Sequence, residues 1–188
     1  MHIRHTAALL CCILCTAFLG GCAKNSTEKE PETESSASEP TDADIVAAFE
    51  ATTIDGTSLS SSVFSDSRIT MVNVWATYCN PCLREMPELG ELAGEYDTED
   101  FQLIGIISDV PEDSGESTLQ TAADLIEETK ADYPHLLLNE SLYNALLTGV
   151  SAVPTTFFID QEGKVLDTVI GAMEKSAWKE KIDGLLEE

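Results

Sequence analysis

Three short runs constrain this chain more than anything else in it: Ile69–Trp75 (ITMVNVW), residues 101–108 (FQLIGIIS) and Thr155–Asp160 (TTFFID). Each is almost wholly apolar or β-branched, the composition of a strand buried on both faces. Such strands need helices to cover them, and the intervening segments supply the pattern. Residues 80–96 carry Leu83, Met86, Leu89, Leu92 and Ala93 at helical spacing. Residues 119–131 predict a second helix and residues 175–186 a last one. Between them, residues 136–138 read as a short strand and 141–147 as a short helix closed by Gly149. Residues 161–164 form a turn, with Val165–Ile170 as the hairpin partner, and Asp55-Gly56 marks another hairpin within 49–59. The order predicts an α/β domain over residues 45–188, with a central mixed β-sheet flanked by helices.

The segment ahead of that domain sets the compartment. Residues 1–21 read as a secretory signal: a weakly basic start, then the uncharged apolar run 6–19, too short to span a bilayer comfortably. Leu19-Gly20-Gly21-Cys22 resembles a bacterial lipobox, which implies cleavage before Cys22 and lipid on its sulfur. An ordinary cleaved signal, or an uncleaved anchor, is the alternative. Stable anchoring takes more than one acyl chain, which a lipidated Cys22 would supply. Residues 22–44 hold almost nothing that could pack, so they should form a disordered acidic leash. The expected location is the extracytoplasmic face of a bacterial cell membrane, with the membrane itself as a partner through Cys22. A formal net charge of −24 argues against nucleic acid as a partner.

Of six cysteines, Cys11, Cys12 and Cys15 fall in the apolar run and Cys22 at the lipobox, which leaves Cys79 and Cys82 to the domain. A disulfide framework of the kind small secreted domains use is therefore excluded. The pair could be a metal clip, a structural staple or a redox couple. Structural zinc wants four ligands, and the domain offers one pair and the distant His135. A staple closing so small a loop adds little stability. A redox couple fits better. At the start of a helix, Cys79 would face unpaired N–H groups and the positive end of the dipole, which favour its thiolate. Cys82, three residues on, would lie on nearly the same face, within about 5–6 Å between Cβ atoms, and could resolve a mixed disulfide.

The segment Trp75 to Cys82 (WATYCNPC), together with Pro87 and Val153-Pro154-Thr155, resembles thioredoxin-like thiol-disulfide oxidoreductases, and more closely their membrane-tethered TlpA/ResA type. The resemblance implies a thioredoxin-like fold, a kink at Pro87, a cis bond before Pro154, and Val153, Pro154 and Thr155 lying against the cysteines as substrate contacts. Trp75 joins them as a candidate contact or core residue. It also gives Glu85, one helical turn beyond Cys82, a part in moving that cysteine's proton; a partly buried carboxylate with a raised pKa suits the work. Tyr78 and Asn80 depart from the family's usual residues. Arg84 reads as solvated and His135 as incidental.

The implied activity is protein-disulfide reduction by a Cys79/Cys82 dithiol–disulfide cycle, with no cofactor and no metal. The client would be an exported protein bearing a disulfide, for which apocytochrome c, a methionine sulfoxide reductase or another envelope protein all fit. Electrons would come from a membrane thiol carrier of the CcdA/DsbD type. Three alternatives share the fold. A thiol oxidase differs only in redox potential. A peroxidase needs a proline and a hydroxyl residue where Val72 and Ala76 stand. A copper-carrying module of the Sco kind would pair the cysteines with His135.

Overall fold

A computed structural model of the protein describes residues 45–187. The expected signal segment 1–21 and the expected linker 22–44, with Cys22, lie outside those residues. The chain runs through β1 (Glu50–Thr52), β2 (Ser58–Ser60), a 3-10 turn (Ser61–Asp66), β3 (Ile69–Trp75) and α1 (Asn80–Ala93). It continues through β4 (Phe101–Pro111), α2 (Glu116–Thr129), β5 (His135–Leu138) and α3 (Glu140–Leu142), which passes into a π turn (Tyr143–Leu147). It ends in β6 (Thr155–Asp160), β7 (Val165–Ile170) and α4 (Lys175–Glu187).

Five strands make one sheet in the order β5-β4-β3-β6-β7, and β1 and β2 form a separate hairpin. β3 is parallel to β4, and β4 to β5; β6 is antiparallel to both β3 and β7. The sheet is therefore mixed and flanked by helices, the α/β class that the three apolar runs predict. All seven residues of β3 are buried, as befits the centre of the sheet.

Alternation along β3 divides the core in two. Met71 and Trp75 face Cys82, Met86, Leu89 and Trp178 on α1 and α4. Val72 and Val74 face Phe49, Phe64, Leu142 and Leu146 on the other side. Full burial of Met86 and Leu89 stabilises the α1 contact by roughly 1.5–3 kcal/mol per side chain. Such packing holds α1 in place although Pro87, inside the helix, removes one backbone donor from it.

Several element ends differ from the sequence expectation, each for a local reason. α1 stops at Ala93 because the Gly94 N–H caps Glu91 and Leu92, so Tyr96 lies in a turn and packs on Phe101. α2 begins at Glu116, earlier than its apolar positions suggest, and ends when Lys130 turns left-handed with φ 54°. β4 runs on to Pro111, three residues past Ser108. The short helix expected over 141–147 starts instead at Glu140, capped by the Asn139 side chain, and widens into the π turn.

The α1–α2 contact is tight enough to exclude a methyl group. A Cβ on Gly90 would run into the Lys130 carbonyl oxygen, which is backbone and cannot swing aside. Helix propensity alone would make Gly90→Ala stabilising by about 1 kcal/mol. Overpacking opposes it, and the expected net effect is destabilisation by about 1–3 kcal/mol. Urea denaturation checks this: a variant as stable as wild type would contradict the contact.

Candidate active site

The strand register assembles the site. Trp75, the last residue of β3, lies opposite Ile107, and Val74 lies opposite Thr155, the first residue of β6. Because β6 is antiparallel, the segment entering it must sit beside the segment leaving β3. Val153-Pro154 therefore comes to the loop that carries Cys79, and its peptide bond is cis. The parallel pair β3 and β4 points its C-terminal ends the same way, where open α/β sheets place their sites.

Cys79 is the N-cap of α1, and its Sγ accepts the Cys82 N–H at 3.3 Å. Cys79 and Cys82 form a disulfide with Cα atoms 5.3 Å apart. Both cysteines are buried, Cys82 completely and Cys79 to 5% exposure, so Cys79 is the outer residue of the pair. Tyr78 next to it is 73% exposed. A cleft of about 250 Å³ lies between Tyr78, the residue before Cys79, and Val153, with Tyr143, Leu147 and Val150 in its wall; neither cysteine lines it.

Glu85 follows one turn beyond Cys82 on the buried side of α1 and is 3% exposed. Its Oε1 accepts the Asn73 amide at 3.2 Å and its Oε2 accepts the Met173 N–H at 3.2 Å. Burial pushes its pKa up to about 7, partly offset by those two donors. The Trp178 indole N–H is close enough to favour the charged form, though it falls outside hydrogen-bond geometry. A small cleft between α1 and the segment ahead of α4 is lined by Pro81, Arg84, Glu85, Glu88 and Met173. Glu85 can thus hold or release a proton near neutrality.

The remaining expected residues fall unevenly. Val153 is half-buried at the cleft rim and Pro154 is buried. Thr155 is also buried, with its hydroxyl donating to the Ala152 carbonyl at 2.8 Å. Trp75 is fully buried and cannot touch a client; its place is the core beneath the cysteines. Arg84 is exposed, as expected.

Three residues of the site escaped the sequence reading. Asn73 is buried in β3 and bridges Glu85 to Thr156; a lone amide in an apolar run was its signal. Asp109 accepts the Thr77 N–H at 3.0 Å and the Thr77 hydroxyl at 2.5 Å. Ser108 donates its hydroxyl to the Trp75 carbonyl at 2.9 Å. Both lie on the late part of β4 and anchor the loop before Cys79, and nothing local in sequence marks them.

A family model described as the AhpC/TSA family matches residues 43–168. The chain is 30% identical over 113 residues to the thioredoxin-like protein YneN of Bacillus subtilis, covering 60% of this chain and 62% of that one. It is 28% identical over 109 residues to the thiol-disulfide oxidoreductase ResA of Halalkalibacterium halodurans, covering 58% and 57%. It thus spans about three fifths of the length of these relatives. A crystal structure of a thioredoxin-family thiol:disulfide interchange protein from Chlorobium tepidum matches with a TM-score of 0.66 at 23% identity, over 80% of this chain and 99% of that chain. That likeness shows a thioredoxin-like fold, as the sequence resemblance implies.

The raised Glu85 pKa has a thermodynamic consequence. A carboxyl that prefers its neutral form when folded contributes stability below its unfolded value of 4.5 and loses it as pH rises through about 7. Glu85→Gln lacks that titration, so its stability relative to wild type should rise by roughly 2–3 kcal/mol between pH 4 and pH 8. Parallel denaturation curves at the two pH values check it; a constant difference would mean that folding leaves the Glu85 pKa unshifted.

Proposed function

This chain belongs to the AhpC/TSA family, and from its site and its likeness to thiol-disulfide oxidoreductases we propose that it is an extracytoplasmic thiol-disulfide oxidoreductase that reduces disulfides of exported proteins. One observation carries the reading: a disulfide joins Cys79, the N-cap of a helix, to the fully buried Cys82, and a carboxyl of pKa about 7 lies one turn deeper.

In the proposed cycle the Cys79 thiolate attacks a client disulfide. A Cys79–client bond forms, and the other client sulfur leaves as a thiolate that takes a proton. Cys82 then passes its proton to Glu85 and attacks the Cys79 sulfur, releasing the second client sulfur. The client gains two electrons and the protein is left with the Cys79–Cys82 disulfide. The helix N-terminus favours Cys79 as the first nucleophile, and deep burial keeps Cys82 for the resolving step.

The client chain would lie in the cleft between Tyr78 and Val153. The Pro154 carbonyl is already taken by the Gly171 N–H at 2.8 Å, so backbone pairing with a client falls to Val153 in β-strand fashion. Electrons would return through a membrane thiol carrier of the CcdA/DsbD type, and lipid on Cys22 would hold the domain at that membrane. The other readings have less support. Val72 and Ala76 are buried side chains without a hydroxyl to activate peroxide. His135 has both ring nitrogens engaged, by the Trp75 indole and the Ala131 carbonyl, which leaves copper no free donor there. A thiol oxidase would use the same residues at a higher potential.

Insulin-disulfide reduction by the full-length protein tests the reading. Cys79→Ser should abolish it, and Cys82→Ser should accumulate a mixed disulfide on Cys79. Activity retained by Cys79→Ser, or a client trapped on neither sulfur, would overturn the assignment.

A further inference from the structure

His135 is a buried titratable side chain that the cycle above does not use. It is 1% exposed, and its surroundings are specific. In the sheet register Asn73, Gly105 and His135 stand side by side on β3, β4 and β5. Gly105 opens a slot across the middle strand: a Cβ there would collide with the imidazole at Nδ1. Through that slot Nδ1 reaches the Trp75 indole, whose Nε1–H lies 3.1 Å away. The indole can only donate, so Nδ1 must be unprotonated. Nε2 then carries the hydrogen and donates it to the Ala131 carbonyl at 3.0 Å. The Tyr133 ring covers the imidazole at 4.3 Å between centroids, and the Trp75 ring meets it edge-on at 5.6 Å.

These contacts fix the ring's tautomer as well as its position. Burial also pulls the His135 pKa down to about 4, so the neutral ring persists across the neutral range. What it holds is the last residue of β3. Trp75 is followed by Ala76, whose carbonyl accepts the Cys79 N–H at 3.0 Å, and by Thr77, tied to Asp109. Trp75 is thus the fixed end of a short loop whose other end is the outer sulfur.

We propose that His135 is a positioning residue for the dithiol couple: through the Gly105 slot it accepts the Trp75 indole N–H and so fixes the root of the loop that presents Cys79 to Cys82. The inference rests on the oxidoreductase reading and adds a residue to it. A fixed root raises the effective concentration of one sulfur at the other and favours the closed disulfide. Releasing it leaves a buried indole N–H without a partner and lets the loop spread when the disulfide opens.

Two variants and one measurement on the unaltered protein test this. His135→Leu removes the acceptor. His135→Asn returns an amide oxygen near the place of Nδ1 and restores it. Equilibrated with glutathione, the Leu variant should favour the dithiol by roughly tenfold, about 30 mV for a two-electron couple, while the Asn variant stays close to wild type. Nitrogen NMR of wild type should show hydrogen on Nε2 and a bare Nδ1. The inference is overturned if hydrogen sits on Nδ1, or if the Leu and Asn variants keep the wild-type equilibrium and differ only in melting temperature. Should the Leu variant not fold, the wild-type tautomer and the Asn equilibrium decide, and an Asn variant shifted as far as the tenfold expected for Leu contradicts the role. A wild-type pair that never exchanges with glutathione would sink the oxidoreductase reading and this inference together; normal exchange at an unmoved position sinks this inference alone.

Discussion

The sulfur at the N-terminus of α1 is the interaction on which the rest of the site depends. A helix begins with N–H groups that lack partners, and Ser, Thr, Asp or Asn usually supply an oxygen to cap them. Here the cap is Cys79, whose sulfur accepts the Cys82 N–H. A neutral sulfur is a weak acceptor, so this choice gives up capping strength. The deficit vanishes when the sulfur is a thiolate, because a charged acceptor is stronger and meets the positive end of the helix. Helix formation and nucleophile activation are thus one interaction, and everything that fixes the start of α1 also tunes the chemistry.

The surrounding core spends polar groups where an apolar sheet would gain from having none. Asn73 sits in an otherwise apolar stretch of β3 and leaves its carbonyl oxygen without a partner. Glu85 carries a carboxyl into the same layer, at a cost reflected in its raised pKa. Met86, Leu89 and Leu92 on the same face of α1 are completely buried and offset that cost. The result is a rigid frame with one ionisable group near neutrality beneath one reducible bond.

Much of the frame is legible in the sequence because it follows from periodicity. The three apolar runs predict the central strands, and Leu83, Met86 and Leu89 mark the buried face of α1. Other features depend on partners far along the chain. Ser108 reads as the end of a strand and Asp109 as the loop beyond it, yet β4 runs past both, and they hold Trp75 and Thr77. His135 reads as incidental until Gly105, thirty places earlier, is seen beside it in the sheet. The π turn at Tyr143–Leu147 carries no signal in a pattern of helical period. Trp75, four residues ahead of Cys79, reads as either a client contact or a core residue; strand alternation turns its side chain into the core. The cis bond before Pro154 came from resemblance, since composition does not distinguish it.

The central claim is that Cys79 attacks and Cys82 resolves, and the most direct test is site-resolved alkylation of the reduced protein at neutral pH. With iodoacetamide in limited supply and the modified residue identified by mass spectrometry, Cys79 should be modified at least about tenfold faster than Cys82, given its place at the helix terminus and its outer position in the pair. Equal rates, or faster modification of Cys82, would contradict the account.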